Sequence, residues 1–145
     1  MYSTVYFVHT WWAYLVVLVL LVASINSLMG YFSKKEYGPN DFRLSLFALI
    51  VTHLQLLIGL VLYFVSPYFS GWSGGMGEVM KNSELRLYLV EHPLMMLIAV
   101  ILITIGYSKH KKKLTSRPKF KVLAIFYTLA TLFVLSRIPW TAWFN

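Results

Sequence analysis

The chain contains no cysteine, which excludes disulfides, thiolate metal sites, iron–sulfur clusters and haem attached through thioethers. Charge is scarce as well: 12% of the 145 residues are charged and only five are acidic. No paired-carboxylate site and no convincing nucleophile–base–orienter set emerges, which argues against a hydrolase. The glycine-rich stretch "SGWSGGMGEVMKNSE" lacks the Lys-Ser/Thr pair of a nucleotide loop and does not sit between a strand and a helix. It reads instead as a flexible or interfacial outer loop. Asn82 or Ser83 is expected to cap the following helix, Trp72 to dip into headgroups, and Glu78 and Glu84 to be exposed.

What the chain has in excess is apolar length. With 59% hydrophobic residues and a mean hydropathy of +0.67, the composition is that of an integral membrane protein rather than a soluble domain. Four apolar stretches each approach or exceed the roughly 20 residues that cross about 30 Å of hydrocarbon as a helix. Backbone groups in lipid must be satisfied internally, so each stretch is read as helical. The predicted fold is all-α: one domain over residues 1–145, an integral membrane four-helix bundle with helices at about 5–30, 44–65, 84–107 and 121–144.

Basic residues orient the bundle. Lys34, Lys35 and Arg43 flank the first connection, and Lys109, Lys111, Lys112, Lys113, Arg117, Lys119 and Lys121 fill the third. The second connection and the start of helix three offer only Lys81 and Arg86. The positive-inside rule puts the two basic loops in the cytoplasm and both termini on the periplasmic side of a bacterial inner membrane. The net charge of +8 is therefore a topology signal, not a nucleic-acid footprint. The loop "KHKKKLTSRPKFK", His110 included, is expected to be solvated or to touch anionic headgroups.

The amino-terminal stretch has no basic n-region and is too long for a signal-peptide core, so it is read as a retained first helix. Trp11, Trp12 and Tyr14 mark its outer end, Tyr31 and Phe32 its inner end, and Trp140 and Trp143 the outer end of helix four, as an aromatic belt requires.

The polar residues left inside the apolar stretches are His9, His53, Gln55, Glu91, His92 and Arg137. Ionisable groups at such depth are costly and point by default to a functional site. At 1.5 Å per residue, His9 lies roughly 9 Å from the outer surface, His92 about 14 Å, His53 about 18 Å and Arg137 roughly 9 to 11 Å. All four helices thus send one basic or imidazole group into the outer half of the bundle. Neutral imidazoles ligate haem iron and arginine neutralises haem propionates through its bidentate fork. A noncovalent b-type haem fits this inventory without cysteine. Helices one and three are diagonal in a bundle with short connections, which favours His92 with His9 as axial ligands. His53 is the alternative second ligand and Arg137 the propionate partner. Glu91 is expected to pair with Arg86 or Arg137. Pro93 removes a backbone donor, frees the Leu89 carbonyl and is expected to kink the helix at His92.

The stretches "RLYLVEHPLMMLIAVILITIGYSKHKKK", "HLQLLIGLVLYFVSP", "HTWWAYL" and "SRIPW" together resemble a family of small four-helix membrane proteins of Bacteroidetes labelled cytochrome B. The resemblance covers essentially the whole chain. It implies a haem-associated protein of a Gram-negative envelope, with His9, His53, His92 and Arg137 at the positions that label needs. A more distant likeness is to one half of haem A synthase, but this chain has Arg137 and no histidine on helix four, which speaks against synthase chemistry.

The leading expectation is a haem b protein passing electrons near the periplasmic face, within the lipid bilayer and beside other membrane subunits, with a quinone or a periplasmic redox protein as partner. One alternative is a haem-free structural or assembly subunit of a larger membrane complex. Another is a copper protein using His9, His53, His92 and Met95, since imidazole suits copper and thioether its reduced state.

Overall fold

The computed structural model describes residues 1–144. Helix makes up 88% of the chain, with no strand among the described residues, so the protein is all-α. Four helices are long and apolar enough to cross a membrane: α1 (Tyr2–Phe32), α2 (Pro39–Val65), α4 (Ser83–Lys111) and α5 (Ser116–Ser136). Two short helices, α3 (Met76–Lys81) and α6 (Trp140–Phe144), lie at the end of the bundle that carries the chain's first residues. Large apolar side chains cover the outside, among them Phe7, Leu18, Leu57 and Leu132, each more than half exposed. Such an exterior is compatible with lipid and would not suit water.

Neighbouring helices follow the chain: α1 packs on α2 and α5, and α4 on α2 and α5, leaving α1 and α4 diagonal. Small residues let the helices approach closely. A Cβ on Gly30 would lie 2.6 Å from the Phe120 ring, and one on Gly106 would lie 2.5 Å from Phe126 Cβ. Leu20, Ile103, Leu123 and Tyr127 fill the centre. The Tyr127 hydroxyl donates to the Ser45 carbonyl at 2.8 Å, and Ser24 and Thr131 share a 3.0 Å hydrogen bond between α1 and α5.

The basic end is closed by a polar knot. Pro39 sits in the first turn of α2, and Asp41 accepts from the Gly38 N–H at 2.8 Å, from Asn26 at 2.9 Å and from Lys35 at 3.0 Å. His110 departs from expectation: its side chain is fully buried. Its Nδ1 lies 2.6 Å from the Tyr107 carbonyl and its Nε2 2.7 Å from the Tyr37 hydroxyl. The carbonyl can only accept, so Nδ1 carries the proton and Tyr37 donates to Nε2. Burial pushes the Tyr37 phenol up to about 12, which keeps that hydroxyl a donor at physiological pH.

The second connection is also more ordered than expected. Pro67–Gly74 forms a 3₁₀ segment that leads into α3. Asn82 caps α4, its Oδ1 accepting from Glu84 and Leu85 N–H groups at 3.0 and 3.1 Å. Trp72 turns inward, donating to the Tyr63 hydroxyl at 3.0 Å instead of facing headgroups. Trp12 likewise points into the bundle and donates to the Val51 carbonyl at 2.9 Å, whereas Trp11 stays exposed. The last helix is shorter than residues 121–144: α5 ends at Ser136, and Pro139 separates it from α6, because the residue before a proline is pushed out of helical geometry.

Candidate functional site

The third span builds the site through a defect. Residues Leu87–Glu91 form a π-turn inside α4, directly before His92 and Pro93. Pro93 has no N–H, so the Leu89 carbonyl loses its helical partner. The Tyr63 hydroxyl of α2 takes that carbonyl at 2.9 Å. A free carbonyl in an apolar bundle is thus satisfied from the neighbouring helix, and the wide turn re-aims the residues that follow it.

His92 faces the bundle interior and meets His9 of the diagonal helix α1. Their ring centroids are 6.3 Å apart and their planes nearly perpendicular, at 86°. His92 Nδ1 lies 2.8 Å from the Arg137 carbonyl. Since that carbonyl only accepts, Nδ1 holds the proton and Nε2 keeps its lone pair. On α1, His9 Nδ1 is buried without a protein partner. The His9 carbonyl accepts from Gln55 Nε2 at 2.8 Å. Gly59, one turn further along α2, leaves room for the ring: a Cβ there would sit 3.2 Å from His9 Cε1 and 3.7 Å from Nδ1.

Both imidazoles line one cavity of about 540 Å³ among the four long helices. It reaches from Tyr2, Tyr6 and Tyr63, at the end of the bundle that carries the chain's first residues, to Leu20 and Ile103 at the centre. Its volume falls within the roughly 300–1,000 Å³ of cofactor and ligand pockets, which are mostly apolar with a few placed polar groups.

The four residues singled out by sequence are therefore not one cluster. His53 is exposed on the outside of α2, its Nδ1 bonded to the Leu49 carbonyl at 2.7 Å and its Nε2 3.3 Å from Thr104 Oγ1. It does not line the cavity, so it stands apart from His9 and His92. Arg137 contributes its carbonyl, while its guanidinium turns to an outer cleft. There Glu91 is shared between two arginines, with Arg86 Nε at 2.8 Å and Arg137 Nε at 3.5 Å. Glu91 thus takes both of the partners considered for it. The copper arrangement is not formed: His53 and Met95 lie outside the cavity, and among the described residues no three His, Cys, Asp or Glu side chains converge. Gln55 and Gly59 acquire a role that the sequence did not assign. The signal available for them was a glutamine and a glycine four residues apart, hence on one face of a membrane-length helix.

The arrangement can be tested against haem. An imidazole nitrogen binds a transition metal at about 2.0–2.1 Å, so two rings on opposite sides of one metal atom have centroids about 6.4 Å apart. The observed 6.3 Å is close to that spacing, and the rings form no hydrogen bond with each other. His92 carries the backbone acceptor on its other nitrogen that metal-bound histidines almost always have. The donor set and the cavity volume fit a b-type haem. No protein-family model matches the chain, and neither a curated protein nor a solved structure matches it significantly.

Proposed function

We propose that the chain is a b-type haem protein of the bacterial inner membrane that passes electrons near the periplasmic face, with His9 and His92 as axial ligands. The observation that carries this reading is the pair itself: two imidazoles from diagonal helices, 6.3 Å apart, lining one cavity. Polar side chains that merely hold membrane helices together bond to one another, and these two do not. The resemblance to the Bacteroidetes family labelled cytochrome B points the same way.

Bound haem would supply a one-electron iron couple whose potential depends on the axial ligands and their surroundings. The chain's own residues do the rest. His92 is held in the tautomer that offers Nε2 to the cavity, and the apolar walls exclude water. The Arg86–Glu91–Arg137 cluster fixes the end of α4 against the residue whose carbonyl holds His92. This cluster and the cavity mouth lie at the end opposite the basic loops, which supports an electron-transfer edge on the periplasmic side, facing a quinone or a periplasmic redox protein.

Protein purified from haem-replete membranes is expected to show a Soret band and sharp reduced α and β bands. Pyridine treatment should release b-type haem at about one per chain, as a single bis-histidine site requires. A colourless, iron-free protein would overturn the reading and leave a structural or assembly subunit in its place.

A further inference from the structure

Two residues that line the cavity each carry a buried polar atom without a partner: His9 Nδ1 and Gln55 Oε1. Neutral imidazole has one N–H to give, and an amide oxygen only accepts. The Gln55 side chain lines the same cavity as the imidazole. It is tethered there, because its Nε2 donates to the His9 carbonyl at 2.8 Å. Gly59 shows which way the ring is turned. A Cβ at that position would meet His9 Cε1 at 3.2 Å and Nδ1 at 3.7 Å, so the Nδ1–Cε1 edge faces α2, the helix that carries Gln55. Buried polar groups left unpaired in an apolar medium are costly, and a hydrogen bond between these two would satisfy both at once.

We infer that Gln55 is the positioning residue for His9: its Oε1 accepts the Nδ1–H, which leaves Nε2 as the lone-pair nitrogen turned towards His92. The two imidazoles then share one design. His92 is oriented by the Arg137 carbonyl and His9 by the Gln55 amide, each through Nδ1. Only the consequence for a bound metal rests on the haem reading. The hydrogen bond belongs to the protein with or without haem. An acceptor on the non-ligating nitrogen raises the basicity of the ligand and favours the oxidised metal.

The test uses the full-length, haem-loaded protein and two variants, with midpoint potentials measured at mildly alkaline pH against one-electron mediators. Gln55→Glu, a stronger acceptor of nearly the same shape, is expected to lower the potential. Gln55→Leu removes the acceptor and is expected to raise it, with haem retention weakened about 10–100-fold. Shifts of the same sign, or no shift in either variant, would overturn the inference. Should Gln55→Leu fail to fold, Gln55→Glu and the imidazole nitrogen spectrum carry the test. In haem-free protein labelled with ¹⁵N-histidine, His9 is expected as the Nδ1–H tautomer, and finding it as the Nε2–H tautomer would also overturn the inference. A protein that takes up no haem refutes the haem reading alone, because the nitrogen spectrum still decides the hydrogen bond.

Discussion

At the residue scale, the decisive contrast is between His9 and His53, the two candidates for the second ligand. His9 and His53 both lie in membrane-length helices, yet His53 sits on an exposed face outside the cavity, whereas His9 lines the cavity with its ring 6.3 Å from that of His92. An imidazole outside the cavity cannot reach a metal held within it. His53→Ala is therefore expected to leave haem content and spectrum unchanged, as absorption spectroscopy of the purified variant would show. A Gly59→Ala methyl would press on His9 Cε1 at 3.2 Å. It should loosen haem retention while leaving helix content intact, measurable by haem titration and circular dichroism. His110 shows why a local reading misleads. Its neighbours in sequence are lysines, which suggested a solvated loop, but its burial is set by Tyr37 on the other basic connection. Tyr37→Phe leaves a buried Nε2 unpaired and is expected to cost about 1–3 kcal/mol, read from thermal unfolding in detergent.

At the element scale, the four apolar runs were legible because a helix in lipid has to be both long and apolar, and their arrangement as a bundle followed from short connections. The diagonal relation of α1 and α4, and with it the approach of His9 to His92, was legible for the same reason. The ends of the elements were less so. Pro139 ends α5 early, a signal present in "SRIPW" but outweighed there by the apolar run beyond it. The Pro93 defect was legible as a kink, but not the π-turn before it or the hydroxyl that repairs it, because Tyr63 lies on another helix and its facing depends on packing. That repair is open to experiment. Tyr63→Phe strands the Leu89 carbonyl and removes the acceptor of Trp72. A loss of about 1–3 kcal/mol of stability is expected, together with a broadened haem spectrum as the π-turn relaxes around His92. Unchanged stability and spectrum would show that the turn does not depend on this hydroxyl.

At the scale of the whole molecule, polarity is divided between the two ends. One end holds the basic connections and the closed Asp41 and His110 network, and the other holds the cavity mouth and the Arg86–Glu91–Arg137 cluster. The positive-inside rule orients that division. Reporter fusions after Lys35 and Lys113 are expected in the cytoplasm and a fusion near Ser73 in the periplasm. A cytoplasmic Ser73 would move the electron-transfer edge to the inner leaflet.

The central claim is that one haem is held between His9 and His92 across the bundle. Electron paramagnetic resonance of the oxidised wild-type protein beside its His92→Ala variant tests it most directly. A low-spin bis-imidazole signal is expected in the wild type, replaced in the variant by a high-spin, five-coordinate signal that added imidazole reverses. An unchanged low-spin signal in His92→Ala would contradict it.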